Sequence, residues 1–321
     1  MWWIWLALMV GVGVIIYLFL ALGTKPAITH QLLRRKQVIA RAEASNIASF
    51  FQTFGHSVAL RAQLPSMERR DATTVRDMDA FVEQWKGSGL IGGMVFLDKQ
   101  GIVRFNSNIA GVPDTGGFLG DRDYFAWASR EPEEGGYFVG KPVISRLGVS
   151  KGRTIVVVAS PVFQQGSFAG VVGSSVELEP LTKHYLELMK VMESTEVYLV
   201  DQNGNLLYSS LDPNAVGSNI SEFLNTDNLK DILNSPREGN LQTPYPHPKT
   251  GKLEEHLIAY APIELGSQRW LLVMSSPIED ANSILAPFYI RQVIMFLVVS
   301  LAILAFGVLT TWENQKTKKT E

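Results

Sequence analysis

The stretch MVFLDKQGIVRF, residues 94–105, decides the fold of this chain. Two apolar runs flank the turn sequence Asp98-Lys99-Gln100-Gly101, a pattern that predicts a β-hairpin. The same phrase recurs at residues 197–208 as VYLVDQNGNLLY, where Asp201 and Gly204 take the places of the first aspartate and glycine. Because this turn chemistry is common, one match alone does not establish a duplication.

The closing strands of the two copies supply a second match. Ala159-Ser160-Pro161-Val162 corresponds to Ala261-Pro262-Ile263, and a glycine (Gly166 or Gly266) then precedes an apolar strand in each copy. Two matches in register predict a tandem of similar domains, and the period is too long for a solenoid. Each copy reads as a small antiparallel sheet with helices on one side, which is an α+β pattern.

Charge is unevenly distributed along the chain. The 321 residues carry a net charge of −2 and no cysteine, which argues against broad binding to nucleic acid and excludes disulfides and thiolate metal sites. Residues 1–24 and 292–312 contain no charged side chain, and each run reaches the roughly 20 residues that a membrane-spanning helix needs. We expect transmembrane helices at residues 1–24 and 287–312, on either side of a water-soluble middle.

The first apolar run has an alternative interpretation as a cleaved signal peptide. An uncleaved anchor is favoured because the run lacks a basic start and exceeds the usual length of about 7–15 residues. Lysines in the tail place the C-terminus in the cytoplasm, whereas basic residues after the first run argue the opposite. Because long loops translocate largely regardless of charge, we expect a two-pass protein of the cell inner membrane. Residues 25–290 are then extracytoplasmic, and residues 313–321 form a short cytoplasmic tail.

Two helices are predicted ahead of the first hairpin. A long helix over residues 28–62 follows from an apolar stripe at helical spacing, made of Ile47, Phe50, Phe51, Phe54 and Val58. Its first half carries Arg34 and Arg35 and is too polar for a core, so we expect a rod that rises from the membrane and pairs with a second copy. A second helix is predicted over residues 71–86, and a helix at residues 178–192 joins the two copies.

Several phrases together resemble the double Cache sensor domain, a pair of PAS-like modules in bacterial chemoreceptors and sensor kinases. They span roughly residues 28–285 and read FLDKQGIVRFNSN, GDRDYFAWA, GKPVISRLG, IVVVASPVFQQGSFAGVVGSSVELEPL and VYLVDQNGNLLYSS. The resemblance implies a stalk and dimerisation helix at residues 25–70, a membrane-distal module at 71–182 and a membrane-proximal module at 183–285. It also implies a dimeric extracytoplasmic sensor, with a small metabolite held between the distal sheet and the RDYF segment.

Five residues of the distal module are candidate ligand contacts, namely Arg122, Tyr124, Trp127, Tyr137 and Arg146. The guanidinium groups suit a carboxylate, the tyrosines offer hydroxyl groups, and the tryptophan offers an apolar or cation–π wall. The alternative is structural: residues 121–123 form a local ion pair and Tyr124 belongs to the core.

The resemblance to the amino-acid-sensing branch of the family is partial. In that branch an aspartate on a closing strand takes the amino group of the ligand, and Ser175 stands where we expect that aspartate. An ammonium group would lack its counter-charge there. A carboxylate without an amine is therefore favoured, within a ligand class of organic acids or amino acids.

The predicted function is sensing without catalysis. The sequence has no P-loop, and its five histidines never pair at helical spacing, so neither a metal nor a cofactor is expected. Because nine residues follow the second span, we expect one of two arrangements: the signal passes to a separate kinase or chemoreceptor protein, or this chain is an input unit detached from its usual output. Two rivals are an envelope solute-binding or adhesion protein without signalling, and an extracytoplasmic hydrolase with Ser160 as nucleophile, for which no base is evident.

Overall fold

The computed structural model describes residues 7, 9–15, 25–112, 114–130, 133–190, 194–222, 229–234, 237–246 and 251–320. Two antiparallel sheets follow one another along the chain, and a long N-terminal helix contacts both. The predicted α+β class with two sheet modules is thereby confirmed. Of the first predicted transmembrane helix, residues 7 and 9–15 are helical, and the remainder lies outside the described residues.

Seven α-helices have bounds within the described residues. They are α1 (Lys25–Ala62), α2 (Pro65–Arg69), α3 (Ala72–Lys86), α4 (Asp123–Arg130), α5 (Leu178–Leu186), α6 (Leu229–Asn234) and α7 (Glu279–Thr320). The predicted helices before the first hairpin are confirmed, and Asp71 caps the start of α3 by accepting from the backbone N–H of Thr73. The joining helix is shorter than predicted, because α5 is followed by the 3₁₀ turn Glu187–Met189.

The first sheet has six strands and provides the scaffold of the first module. They are β1 (Ile91–Asp98), β2 (Val103–Asn108), β3 (Phe138–Val139), β4 (Val143–Ile144), β5 (Thr154–Gln164) and β6 (Ser167–Glu177). Their order is β2-β1-β6-β5-β3, and β4 also pairs with β5. Side chains alternate along β5, so that Val156 and Val158 join the core beneath α1 while Ile155 and Val157 join a second cluster with α4.

The second sheet has five strands in the order β8-β7-β11-β10-β9. They are β7 (Glu196–Asp201), β8 (Leu206–Ser209), β9 (Gly239–Pro246), β10 (Leu253–Glu264) and β11 (Arg269–Pro277). In both sheets the opening hairpin pairs with the last strand, which pairs with the strand before it. The two sheets therefore share one topology, as the repeated sequence phrases predict.

The hairpin turns of the two sheets have the same hydrogen bonds. Asp98 Oδ1 accepts from the backbone N–H groups two and four residues later, at 2.9 and 3.0 Å. Asp201 Oδ1 accepts from the equivalent groups of its own turn, both at 2.8 Å. Gly101 and Gly204 have φ of 79° and 84°, a left-handed conformation that favours glycine. The Asp-x-x-Gly phrase is thus the local cause of both turns.

Helix α1 packs against both sheets and unites their cores. Phe51 is fully buried, and its ring meets that of Trp270 edge-on at 5.5 Å. The prediction that the first half of α1 is too polar for a core is wrong, because Leu33, Ala40 and Ala44 are buried there. Two of these side chains are those of alanines, which allow the helix to approach the second sheet closely. The first half of the helix therefore packs without the stripe of large apolar residues found in its second half.

The two modules also meet through hydrogen bonds at one edge. Gln268 Nε2 and Ser267 Oγ both donate to the carbonyl of Val139 at 2.7 Å. Val139 ends β3, whereas Ser267 and Gln268 form the turn between β10 and β11. The first sheet is therefore attached to the second module by this turn as well as by α1.

Helix α7 continues from the second sheet over 42 residues. Its segment Ile290–Thr310 has a mean hydropathy of 2.8 and is 11% buried. Within the described part of the chain, it is the one helical segment long and apolar enough to cross a membrane. The predicted second span, residues 287–312, falls in this helix, whose passage through a membrane stays a prediction.

Candidate ligand-binding site

A small cavity lies on the side of the first sheet opposite α1, beneath the segment that connects β4 to β5. Its volume is about 60 Å³. Strands β1 and β6 line it with Gly92, Val95 and Ser175, and the connecting segment covers it with Leu147 and Ser150. A cavity of this size holds roughly four to six water-sized spheres, so it suits a molecule of only a few non-hydrogen atoms.

Three of the five predicted contacts line this cavity, namely Arg122, Tyr124 and Arg146. Trp127 does not line it and instead stacks on the ring of Phe138, with the ring centroids 5.2 Å apart. Arg122 immediately precedes α4, Tyr124 lies in its first turn, and Arg146 lies in the segment after β4, so the three come from two separate parts of the sequence. Their ligand contacts stay predictions.

Tyr137 also lies away from the cavity. Its ring is 5.2 Å from that of His56 on α1, and a Cβ added at Gly55 would lie 2.3 Å from the tyrosine ring. The absence of a side chain at Gly55 therefore makes room for Tyr137 against the long helix. Sequence position alone did not distinguish this packing role from a role in ligand binding.

Arg122 is positioned by the start of α4. Asp123 fixes that start, because its carboxylate accepts from the backbone N–H of Tyr124 and from that of Lys141, both at 2.8 Å. The guanidinium of Arg122 donates to the carbonyl of Ile144 at 3.0 Å. Among the described residues Arg122 forms no salt bridge. Its guanidinium group therefore has no direct carboxylate partner at the cavity.

Arg146 has such a partner. Its Nη1 lies 2.8 Å from Asp121 Oδ2, and the two side chains are 51% and 42% exposed. Burial opposes ionisation of Asp121, but the hydrogen bond and charge of Arg146 outweigh it and lower the pKa of that carboxyl. Ion pairs this exposed contribute up to about 1 kcal/mol. A ligand carboxylate therefore competes with Asp121 for Arg146, whereas it meets no such competitor at Arg122.

Tyr124 supplies a neutral donor. Its side chain is buried, and that burial raises the pKa of the hydroxyl above its ordinary value. The hydroxyl consequently stays protonated at physiological pH. Within the described part of the chain it has no hydrogen-bond partner, which leaves it available to a molecule in the cavity.

The sequence did not single out the polar residues that strand β2 brings to the cavity. Asn106 and Asn108 both line it. Asn106 Nδ2 donates to the carbonyl of Asp114 at 3.2 Å, and Asp114 Oδ2 accepts from the backbone N–H of Gly148 at 2.9 Å. Asp114 thus ties the loop after β2 to the segment that covers the cavity. Asn106 and Asn108 are two residues apart on β2, so their side chains point to the same face of the sheet, and this spacing in the sequence could have indicated a polar face there.

Ser150 is the second feature that the sequence did not reveal. It is buried, lines the cavity, and donates from Oγ to Glu177 Oε1 at 2.6 Å. Glu177 is buried too, and its other carboxylate oxygen accepts from Arg153 Nη1 at 2.7 Å. The partners lie far apart in sequence, so only the tertiary fold brings them together.

The cavity is consequently cationic at its polar end. Two guanidinium groups, those of Arg122 and Arg146, belong to its lining, and no described lining residue carries a carboxylate. The rest of the lining combines neutral polar side chains with apolar ones, with Leu119, Val143 and Val157 among the latter. Such a site favours a small anion, and the planar donor forks suit a carboxylate in particular.

Solved structures with the same fold include ligand-binding domains of bacterial receptors. The chain resembles "Methyl-accepting Chemotaxis protein X" with a TM-score of 0.60 and 18% identity, over 77% of this chain and 98% of that one. It resembles the ligand-binding domain of the Pseudomonas fluorescens chemoreceptor CtaA in complex with L-isoleucine with a TM-score of 0.59 and 18% identity, over 82% and 99%. The same domain in complex with L-serine gives a TM-score of 0.56 and 17% identity, over 78% and 99%.

No curated protein matches the sequence. The Cache domain family model, dCache_1, matches residues 23–285. That range contains both sheets, α1 and the cavity. Since the match extends over most of the sequence, the chain belongs to the Cache domain family.

Proposed function

We propose that this chain is a membrane-anchored extracytoplasmic sensor, not an enzyme, and that its distal cavity binds a small carboxylate. The carrying observation is the lining of the cavity, which contains Arg122 and Arg146 but no carboxylate among its described residues. A guanidinium without a salt-bridge partner gains most from a ligand that brings the missing charge. The neutral hydroxyl of Tyr124 adds a second donor at the same site.

The location and assembly of the sensor are part of the proposal. Residues 25–290 are extracytoplasmic, α7 anchors them in the inner membrane, and two copies associate along α1. The distal and proximal modules comprise residues 71–182 and 183–285. Support comes from the apolar segment Ile290–Thr310 and from the fold that the chain shares with receptor domains. The signal then passes to a separate kinase or chemoreceptor protein in the membrane.

The proposed ligand lacks an amine, unlike the amino acids named for the CtaA complexes. Ser175 on β6 lines the cavity in place of an acidic residue. An ammonium group there would face two guanidinium groups without a carboxylate in the described lining, and like charges at close range in a partly buried site repel. An organic acid therefore fits the charge of the cavity better.

A thermal-shift titration of the full chain in lipid nanodiscs tests the carboxylate. The probes are acetate, propionate and butyrate, each compared with its uncharged amide. We expect the acids, and not the amides, to raise the melting temperature, because only they carry the charge that the guanidinium forks pair with. Equal shifts by acid and amide would show that the site does not select a carboxylate.

Two arginine variants locate the effect. Arg122→Ala is expected to reduce the affinity for the acids at least tenfold, in line with about 1.5–3 kcal/mol for a hydrogen bond to a charged group. Arg130→Ala is the matched control, since Arg130 lies in the last turn of α4, the helix that Arg122 immediately precedes, and is exposed outside the cavity. An unchanged acid shift in Arg122→Ala would remove this residue from the site.

A further inference from the structure

The hydroxyl of Ser150 has a fixed direction. A serine hydroxyl carries one proton, and Ser150 gives that proton to the carboxylate of Glu177 at 2.6 Å. The oxygen of Ser150 therefore offers only lone pairs to any other group. Because Arg153 holds the second oxygen of Glu177 at 2.7 Å, this carboxylate stays in place as an acceptor. Ser150 is consequently a preset hydrogen-bond acceptor at the cavity.

Two hydroxyl groups converge beside Gly92. A Cβ added to Gly92 would lie 2.0 Å from Ser150 Oγ and 3.0 Å from Ser175 Oγ, and all three residues line the cavity. Ser175 Oγ has no hydrogen-bond partner within the described part of the chain. At this corner Ser150 accepts a hydrogen bond, whereas Ser175 either donates or accepts one. A ligand hydroxyl, which has one proton and two lone pairs, is able to donate to Ser150 and to accept from Ser175.

We propose that the ligand is a small hydroxy acid, whose hydroxyl donates to Ser150 Oγ while its carboxylate pairs with the guanidinium groups. This inference rests on the proposed function. A ligand ammonium would also donate to Ser150, but the charge of Glu177 is already neutralised by Arg153. A neutral hydroxyl satisfies the acceptor without bringing a positive charge next to Arg122 and Arg146.

The size of the cavity fits the same class. A volume of about 60 Å³ has room for a few water-sized spheres, so it favours a compact ligand. A three-carbon hydroxy acid is among the compact carboxylates that carry a hydroxyl. It also carries its hydroxyl next to its carboxylate, and Arg122, Arg146 and Ser150 all line the same cavity.

The test is a calorimetric titration of the full chain in nanodiscs with four probes of nearly equal size. They are propionate, L-lactate, D-lactate and L-alanine, which differ in carrying hydrogen, hydroxyl or ammonium on the carbon next to the carboxylate. We expect one lactate enantiomer to bind about tenfold more tightly than propionate, as for one well-formed hydrogen bond. L-alanine is expected to bind more weakly than that lactate.

Substitution of Ser150 locates the preference. In Ser150→Ala the lactate affinity is expected to fall to within about twofold of that for propionate, with propionate itself little changed. Ser129→Ala is the matched control and is expected to keep the preference. Ser129 is exposed on α4, does not line the cavity, and donates from its hydroxyl to the carbonyl of Ala126 at 3.2 Å.

The outcomes separate this inference from the proposed function. Equal binding of propionate and both lactates overturns the hydroxyl subsite and leaves the carboxylate site standing. Tightest binding of L-alanine overturns the choice of hydroxyl over ammonium. Absence of binding by all four acids contradicts the proposed function itself. If Ser150→Ala fails to fold, the relative affinities of the wild-type chain for propionate, the two lactates and L-alanine still test whether the site prefers a hydroxyl.

Discussion

At the scale of single residues, the two arginines of the cavity differ in whether the guanidinium group already forms a salt bridge. Arg146 is paired with Asp121, whereas Arg122 donates only to a backbone carbonyl among its described contacts. A carboxylate bound as proposed would displace Asp121 from Arg146, whereas at Arg122 it would displace no salt-bridge partner among the described residues. For this reason Arg122 is the residue on which we expect affinity to depend most.

Gly92 has a strict steric role. A Cβ there would meet Ser150 Oγ at 2.0 Å, a distance that forces Ser150 to move and breaks its hydrogen bond to Glu177. We expect Gly92→Ala to destabilise the chain by about 1–3 kcal/mol and to lower acid binding. Thermal unfolding of the full chain in nanodiscs measures the first effect, and titration the second.

Gly87→Ala is the control for that substitution. Gly87 has a φ of −62° at the end of α3, and a Cβ there would meet no atom within 4 Å. It is expected to leave stability within about 0.5 kcal/mol of the wild type, as for an ordinary surface change. A Gly92→Ala chain as stable as Gly87→Ala would contradict the packing at the cavity corner.

The residue scale also shows where sequence reasoning ends. Arg122 was predicted because its segment DRDYF is local and resembles a known pattern. Tyr137 and Trp127 were predicted as ligand contacts but pack against other side chains. Aromatic side chains occur both in cores and in binding sites, and the sequence does not show which surface a given ring contacts. The Ser150–Glu177 pair was missed because its partners meet only after β5 and β6 have paired.

At the scale of elements, the repeated hairpin turn is the most predictable part of the molecule. Its aspartate accepts two backbone N–H groups in both modules, and its glycine takes a left-handed conformation. The residues that form these hydrogen bonds are neighbours in the sequence, within a segment of seven residues, so the turn is predictable from local sequence alone. The packing of the first half of α1 was not predictable in the same way, since Ala40 and Ala44 give little periodic signal although both are buried.

Asp98 gives this turn a pH dependence. Burial opposes its ionisation, but backbone hydrogen bonds from Ile102 and Gln100 and the contact with Arg104 at 2.6 Å outweigh it and lower the pKa. A lowered folded-state pKa means that the stabilisation is present above the unfolded value, about 3.9, and is lost as the pH falls through the folded one.

Asp98→Asn is therefore expected to destabilise the chain at pH 7, by about 1 kcal/mol, and by progressively less as the pH falls below about 4. The measurement is thermal unfolding of both chains between pH 7 and pH 3. Asp77→Asn, a change on α3 outside the turn, provides the control. A deficit that stays constant over this range would contradict the role of the ionised carboxylate.

The shared helix leads to a second prediction at this scale. Phe51 on α1 is buried against Trp270 of the second sheet, so Phe51→Ala is expected to cost about 3–5 kcal/mol. Val38→Ala, at a position on the same helix that is 58% exposed, is the control and is expected to cost much less. Denaturant unfolding measures both. Equal costs would contradict the packing of α1 onto the second module.

At the scale of the whole molecule, the two modules form a continuous structure. One hydrophobic cluster contains residues of α1, of the first sheet and of the second sheet. The hydrogen bonds of Ser267 and Gln268 to Val139 add a second connection. The first sheet therefore has two connections to the second module, whose last strand leads into α7.

The absence of cysteine makes the proposed topology simple to test. A single cysteine introduced at Ser129, an exposed residue of α4, is expected to react with a membrane-impermeant maleimide in cells whose inner membrane is intact. A cysteine at Lys318 is expected to react only after lysis. The reverse labelling pattern would place residues 25–290 in the cytoplasm and contradict the proposed location.

The central claim is that the distal cavity holds a carboxylate, and a crystal structure grown with lactate tests it most directly. The prediction is density for the acid in the cavity beneath residues 143–150, with its carboxylate about 2.7–2.9 Å from guanidinium nitrogens of Arg122. An acid bound only in the second module, or bound in the distal cavity with its carboxylate turned away from Arg122, would contradict it.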